Sequence, residues 1–223
     1  MTFLDHPAET ISENAYKRMR TDIIFGRLPP RQKLKLDKLK NSYGASISTL
    51  REVLSRLASE GFVLAEGQRG FEVSDVSAGN LKEIAALRQL LEGHALAQSF
   101  AAGDMEWEGR VVAAHHKLAS MERLMQSGDR SQTESWKRYD WEFHQALISA
   151  CGSHALMETH AGVFDKYLRY QMIALSYRGD IAAREHQFLL ECALSRDAET
   201  AQRILAEHVS GGVEHALATG TIS

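Results

Sequence analysis

The chain has 223 residues, of which 44% are hydrophobic and 25% are charged, and its formal net charge is -3. These are the proportions of a globular protein, and they exclude a chain that is disordered throughout. No apolar run approaches the roughly 20 residues that span a bilayer, so we expect a soluble, cytoplasmic protein with no membrane partner. The two cysteines, Cys151 and Cys192, fit a reducing compartment and offer no disulfide framework.

Charge is distributed unevenly along the chain. Positions 12–59 hold 11 Lys or Arg residues against 4 Asp or Glu residues, whereas positions 76–223 hold 14 against 19. A basic segment joined to an acidic body indicates a module that binds a polyanion, although a solvated charged face is the alternative interpretation.

The first 76 residues have the pattern of three helices followed by a hairpin. Ser12 is the expected N-cap of the first helix, the prolines at 29 and 30 end it, and Gly44 closes the second. The predicted helices lie within 12–28, 36–44 and 44–61, and the predicted strands are 62–66 and 70–74. This order is typical of a winged helix-turn-helix, in which the third helix projects its N-terminal half into a DNA major groove.

From residue 77 onward the sequence predicts only helices, and it contains no proline. The predicted helices are 80–101, 104–126, 132–151, 154–177, 180–195 and 197–217. Six amphipathic helices with short loops favour an antiparallel bundle. We therefore expect a mainly α protein with two domains, a winged helix-turn-helix over 1–76 and an all-α domain over 77–223 that binds an effector and dimerises.

Three of the predicted bundle helices direct an imidazole or a carboxylate to an apolar face. Asp140 and His144 lie one turn apart on one helix, and His186 and His208 lie on the apolar stripes of two others. An isolated Asp–His pair is more often a structural hydrogen bond between helices. Four such groups together are a ligand set for a divalent metal, so we expect zinc, with nickel or manganese as alternatives.

Arg88 lies at the edge of the apolar stripe of the first bundle helix. A guanidinium in that position either pairs with a nearby acid such as Glu92 or binds an anionic ligand through two parallel hydrogen bonds. The pattern of residues leaves both interpretations open.

Both halves of the chain resemble a known family of proteins. Over nearly all of 12–75 the sequence resembles the winged-helix domain of the GntR family of bacterial transcription regulators, most specifically in TLREVLSRLASEGFV followed by RGFEV. The helical half resembles the ligand-binding domain of the FadR-type (FCD) subgroup, in LRQLLEGHALAQ, DWEFHQAL, EHQFLLECALSRDAETA and AEHV. The resemblance implies that Asp140, His144, His186 and His208 bind a divalent metal and that Arg88 contacts a carboxylate of the effector.

The resemblance implies a ligand-responsive transcriptional regulator, and we expect it to be a repressor. We expect it to bind a palindromic double-stranded operator as a homodimer, because one winged helix contacts only a half-site. A small organic acid in the bundle would modulate that binding. The residues expected to contact DNA are Lys38, Lys40, Ser46, Ile47, Ser48, Thr49, Arg51, Gln68, Arg69 and Gly70.

The first turn of the third helix departs from the family pattern. The chain has SISTLR where members usually have Ser-Arg-Thr-Pro-Val-Arg, so Ile47 replaces the base-contacting arginine, and Asp37 replaces a basic residue of the preceding helix. If Ile47 points inward, it belongs to the core and Arg51 with the hydroxyl groups carries recognition. If it points outward, it offers an apolar contact to a thymine methyl group.

Two other functions compete with this hypothesis. In a metal sensor the same four ligands would bind the metal as the signal, without an organic effector. A metal-dependent enzyme acting on small carboxylates would need a general base, for which no motif is visible, and would have no use for a DNA-binding module. The sequence therefore predicts a regulator and not an enzyme.

Overall fold

The computed structural model describes residues 10–67, 70–174 and 177–222. By its internal contacts the chain divides into two units, Met1–Val76 and Ser77–Ser223.

The first unit contains three helices and a small antiparallel sheet. Helices α1, α2 and α3 are Ile11–Ile24, Leu36–Tyr43 and Ile47–Ser59, and strands β1, β2 and β3 are Lys33–Leu34, Val63–Ala65 and Phe71–Val73. Strand β3 lies in the centre, with Val73 opposite Val63 of β2 and Glu72 opposite Lys33 of β1. One face of each helix is buried between the helices and the sheet, including Met19, Ile23, Leu50, Leu54 and Leu57.

The ends of these helices are fixed by local hydrogen bonds. Helix α1 begins two residues earlier than the predicted cap allows, because the hydroxyl of Thr10, not that of Ser12, accepts from the N–H of Glu13 at 3.1 Å. Gly44 ends α2 in the left-handed conformation (φ +65°), which costs glycine little. The Ser46 hydroxyl then caps α3 by accepting from Thr49 N–H at 3.2 Å. The cap thus fixes where α3 presents its first turn.

Strand β1 was absent from the sequence-based prediction. It has only two residues, and of these only Leu34 is buried, so it has no alternating pattern long enough to detect. Its pairing with β3 adds a third strand to the expected hairpin.

The second unit is an all-helical bundle. Helices α4 to α9 are Ala78–Ala102, Met105–Gln126, Thr133–Ile148, His154–Ile173, Asp180–Ser195 and Ala198–Ala218. Helix α4 packs on α7 and α9, α5 packs on α6 and α8, and α8 packs on α9. This arrangement surrounds the polar side chains of α4, α5, α6, α8 and α9 that form the site. Even α4, at 25 residues, is too polar to cross a bilayer, and no other helix within the described ranges qualifies.

Helix α1 ends at Ile24, with Phe25 as its C-cap, and not at the prolines at 29 and 30. Two helices of the second unit also end earlier than the sequence pattern predicts. Helix α6 ends at Ile148 and not at 151, because the chain turns through Gly152 in the left-handed conformation (φ +73°). Helix α7 ends at Ile173 and not at 177, with Ala174 as its C-cap. Neither change moves a residue of the predicted metal site, since those residues lie in the helix interiors.

Candidate metal centre and nucleic-acid interface

Four side chains from three helices meet inside the second unit, and we call them the Asp–His cluster: Asp140 and His144 on α6, His186 on α8 and His208 on α9. One possible ligand atom from each lies within 4.8 Å of the others. Asp140 Oδ1 is 3.2 Å from Nε2 of His186 and 3.9 Å from Nε2 of His144. All four residues are buried, the most exposed at 9%. The structure therefore brings together all the residues that the sequence predicted for a metal.

Each imidazole of the cluster has its own glutamate partner. In every pair Nδ1 of the ring faces the carboxylate. An ionised carboxylate can only accept a hydrogen bond, so Nδ1 carries the hydrogen and Nε2 is left for the interior. This is the arrangement in which histidine ligands of metals are commonly held. The pairs are His144 with Glu92, His186 with Glu122 at 2.6 Å, and His208 with Glu185 at 2.8 Å.

The interior nitrogens are incompletely satisfied. Within the described ranges, Nε2 of His144 and Nε2 of His186 are buried without a hydrogen-bond partner, and the 3.2 Å approach of Asp140 to His186 is an ion-pair contact. Leaving a buried polar atom unpaired costs about 1–3 kcal/mol. Three imidazole nitrogens and one carboxylate oxygen are donors that Zn²⁺ accepts in a four-coordinate site. The donor set and the unpaired atoms therefore fit a divalent metal.

The four groups differ in their affinity for protons. Burial lowers the pKa of His186, but the carboxylates of Asp140 and Glu122 outweigh burial and raise it to about 9. Burial and the neighbouring imidazoles of His186 and His144 lower the pKa of His208 to about 3. Without metal, the cluster thus holds one imidazolium beside a carboxylate, and a metal would compete with that proton.

Arg88 lies beside the cluster, and its side chain is 1% exposed. Its Nε donates to Glu92 Oε2 at 2.9 Å, and the guanidinium carbon stacks over the rings of Phe164 and Tyr167 at 4.2 and 4.7 Å. Its Nη2 is buried without a hydrogen-bond partner in the described part of the chain, and the residue lines a cavity together with Asp140. The ion pair with Glu92 leaves a donor for a second acceptor, so the two interpretations of Arg88 are compatible.

Four charged residues near the cluster had no place in the predicted site. Glu122 follows Leu118 by one turn on the buried stripe of α5, so an acid on an apolar stripe was the available signal. Glu185, next to His186 in sequence, carried no comparable signal. Glu92 was expected only as a possible partner of Arg88, and its contact with His144 was not predicted. Lys137 is 6% exposed, and its Nζ lies 3.7 Å from Asp140 Oδ2. Its burial comes from the packing of other helices, which spacing along α6 does not reveal.

In the first unit, most of the residues predicted to contact DNA lie on the surface. Lys38 and Lys40 on α2 and Arg51 on α3 are exposed, and Thr49 is half-buried. The hydroxyls of Ser46, Ser48 and Thr49 lie within 2.8 to 2.9 Å of one another along the chain Ser48–Ser46–Thr49. The predicted contacts Gln68 and Arg69 lie outside the described residues.

The remaining wing residue is Gly70, which precedes β3 with φ +97°. That backbone conformation favours glycine, so Gly70 has a structural reason to be at the base of the wing.

Ion pairing separates the basic residues of the first unit into two groups. In one group each arginine has a carboxylate partner: Arg20 with Glu60, Arg27 with Asp22, Arg31 with Asp75 and Arg56 with Glu13. The other group includes Lys33, Lys35, Lys38, Lys40 and Arg51, which are exposed and for which the described residues supply no carboxylate within 4 Å. Unpaired exposed cations are the ones free to neutralise phosphates.

Ile47 is the first residue of α3 and is 37% exposed. The next apolar residue of the helix, Leu50, is fully buried. Of the two orientations that the sequence allowed, the outward one is therefore found.

A three-helix unit with a β-hairpin, joined to a helical bundle, has the architecture of a bacterial DNA-binding transcription regulator. Residues 11–73 match the family model of the bacterial regulatory proteins of the gntR family, and residues 83–211 match the family model of the FCD domain. The chain belongs to the GntR family, with an FCD domain as its second unit. It is a DNA-binding transcriptional regulator and not an enzyme.

Individual relatives and solved structures agree with this assignment. The uncharacterized HTH-type transcriptional regulator BphR of Paraburkholderia xenovorans is 33% identical, over 92% of this chain and 84% of the relative. The HTH-type transcriptional repressor GlaR of Escherichia coli is 31% identical, over 89% and 92%. The structure of E. coli McbR/YncC has the same fold, with a TM-score of 0.77 at 20% identity, over 94% of this chain and 98% of that one.

Proposed function

We propose that this regulator is a cytoplasmic repressor whose operator binding is controlled by a small organic acid at a metal centre in the second unit. The observation that carries the proposal is the set of three imidazoles whose Nδ1 atoms are all held by glutamates. Such anchoring leaves the three Nε2 atoms and the Asp140 carboxylate as the available donors, and the possible ligand atoms of the four residues lie within 4.8 Å of one another. We expect zinc there, with nickel or manganese as alternatives.

The metal would supply a Lewis-acidic centre that binds a carboxylate of the effector. Arg88 supports that function because its unpaired Nη2 is a buried donor on the wall of the same cavity. Lys137 adds a second buried cation on that wall. Two buried cations beside a metal favour an anion over a neutral ligand.

For DNA binding we propose that Lys38, Lys40 and Arg51 neutralise phosphates or contact bases, and that the hydroxyls of the first turn of α3 assist. The wing residues Gln68, Arg69 and Gly70 would contact the backbone or the minor groove. A homodimer would place two such surfaces on a palindrome. Repression is supported by the name of the relative GlaR, a transcriptional repressor.

Binding in the bundle would change operator affinity by favouring one arrangement of the two winged helices of the dimer. Couplings of this kind typically amount to about 1–3 kcal/mol, or roughly 5- to 150-fold in affinity. The domain 77–223 would thus bind the effector and dimerise.

Fluorescence anisotropy tests the proposal. Double-stranded oligonucleotides are first selected from a random pool with the full chain, and the affinity for the selected palindrome is then measured for metal-free protein, for zinc-loaded protein, and for zinc-loaded protein with a panel of small carboxylates. We expect one or more carboxylates to weaken binding of the zinc-loaded protein only. If zinc alone switches DNA binding and no carboxylate has an effect, the protein is a metal sensor and the effector part of the proposal is wrong.

A further inference from the structure

Two cavities adjoin the Asp–His cluster, and they differ greatly in size. The inner cavity is lined by Arg88 and by three residues of the cluster, Asp140, His186 and His208, and its volume is about 20 Å³. A single water molecule needs about 10–15 Å³ of such space. The inner cavity therefore has room for a group of about one water molecule, and the body of an organic acid does not fit in it.

The outer cavity has a volume of about 310 Å³. An apolar cavity of roughly 150 Å³ is enough to bind benzene. The two cavities share Trp136, Lys137 and Gln171 in their walls, so they are adjacent. A ligand with an acidic end and a larger body would therefore find the two parts of its site next to each other.

The outer wall has the chemistry of a site for an aromatic ring. Met125 and Met172 contribute thioethers, which contact aromatic rings favourably. The rings of Trp136 and Tyr177 meet edge to face, with centroids 5.1 Å apart at 86°. Arg130 covers the Tyr177 ring at 4.3 Å. These polarisable surfaces favour a flat ring over a flexible polar chain.

Lys137 lies where the two cavities meet. Its Nζ is 3.7 Å from Asp140 Oδ2 and 4.1 Å from the ring of Trp136. An ammonium group has three donors, and that distance to Asp140 is longer than a hydrogen bond. The buried ammonium can therefore donate to a second carboxylate, from a ligand in the outer cavity.

We propose that the outer cavity binds the body of the effector, and that the effector is a monocarboxylate bearing an aromatic ring, with its carboxylate at Lys137 and directed to the inner cavity. That this ligand is the effector rests on the proposed function; its chemical class and the site at which its ring binds are added here.

Isothermal titration calorimetry of the zinc-loaded full chain tests the inference with three matched probes. 3-Phenylpropionate has both the ring and the charge, propionate lacks the ring, and 3-phenylpropan-1-ol lacks the charge. We expect 3-phenylpropionate to bind at least about ten-fold more tightly than either of the others, because the ring buries apolar surface and the carboxylate pairs with Lys137. Equal affinities for 3-phenylpropionate and propionate would overturn the inference.

Two substitutions of the same type locate the ring. Thr133, at the start of α6, is half-buried and lines the outer cavity, whereas Thr159 on α7 is exposed and lines neither cavity. Thr133→Phe should fill the outer cavity and lower the affinity for 3-phenylpropionate about ten-fold. Thr159→Phe should leave that affinity unchanged. Zinc content, measured in both variants, should stay at the wild-type value. Unchanged affinity in the Thr133→Phe variant, with zinc retained, would show that the ring binds elsewhere.

The outcome separates this inference from the proposed function. If no carboxylate in the anisotropy panel changes operator affinity, the proposed function fails, whatever the calorimetry gives. If short carboxylates change operator affinity but the ring adds no affinity, the proposed function stands and the inference is wrong.

Discussion

The candidate DNA-binding surface and the Asp–His cluster use charged residues in opposite ways. On the surface of the first unit, the candidate residues Lys38, Lys40 and Arg51 stand without acidic partners among the residues described. In the cluster, every imidazole is buried and tied to a glutamate. A polyanion in water is attracted by free cations, whereas a metal needs deprotonated ligands held in a fixed orientation.

This difference predicts how each region responds to substitution. Removing an unpaired cation from the surface of the first unit should weaken DNA binding and leave the free energy of unfolding almost unchanged. Removing a group from the buried network should change metal binding and also leave a partner unsatisfied, which lowers the free energy of unfolding. A surface substitution that lowers the free energy of unfolding, or a substitution in the buried network that leaves metal binding unchanged, would contradict this assignment.

The largest effect is expected for loss of two ligands of the cluster. His186→Ala with His208→Ala should reduce the zinc content of the purified protein from about one per chain to near zero, since two of four donors are gone. Inductively coupled plasma mass spectrometry measures it. The double variant His116→Ala with His215→Ala, at two exposed positions, is the control and should keep its zinc. Equal zinc in both variants would eliminate the cluster as the metal site.

A smaller loss is expected when a glutamate behind a ligand is changed. Glu122→Gln removes the charge that holds Nδ1 of His186, and such outer partners typically contribute about 10- to 100-fold in metal affinity. Competition with a chelating dye measures the change. Glu106→Gln on the same helix is exposed and should leave the affinity unchanged. If the two variants bind zinc equally, Glu122 has a structural role only.

Two arginines of α3 differ in the same way within the first unit, since Arg51 is unpaired in the described residues and Arg56 is paired. Arg51→Ala should weaken binding to the selected palindrome about ten-fold and lower the salt dependence, with the thermal midpoint unchanged. Arg56 pairs with Glu13 at 3.0 Å and stacks on Tyr16 at 3.5 Å. Arg56→Ala should therefore lower the free energy of unfolding by about 1 kcal/mol. Loss of DNA affinity in Arg56→Ala alone would reverse the two roles.

The sequence predicted the residues that form the cluster because each lies on an apolar stripe, where an imidazole or a carboxylate is unusual. It did not predict which glutamates would hold them. Glu92 and Glu122 belong to α4 and α5, and their partners are 52 and 64 positions away. Such contacts depend on how the helices pack, which the periodicity of a single helix does not contain.

Helix ends and the small sheet of the first unit likewise depend on contacts that a periodic pattern does not contain. The order of elements followed from apolar spacing and glycine positions, but the cap at Thr10 depends on one hydrogen bond and strand β1 on two residue pairs with β3. For Ile47 the spacing permitted two orientations. Leu50, one turn further along α3, is fully buried, whereas Ile47 is the first residue of the helix and remains 37% exposed.

The smallest effect is expected at Ile47, and it tests whether its exposed side chain contributes to operator recognition. If Ile47 packs against a thymine methyl group in the major groove, replacing that thymine by deoxyuridine removes one buried methyl. The contact contributes about 0.8 kcal/mol, so wild-type affinity should fall about four-fold. In Ile47→Ala the partner of the methyl is gone, and the same replacement should have no effect. Fluorescence anisotropy measures the affinity of both proteins for operators in which each thymine of the half-site is replaced in turn. The effects of Ile47→Ala and of the deoxyuridine replacement should not add if both remove the same contact. If every replacement weakens both proteins equally, Ile47 does not contact a thymine methyl, and recognition lies with the hydroxyl groups and Arg51.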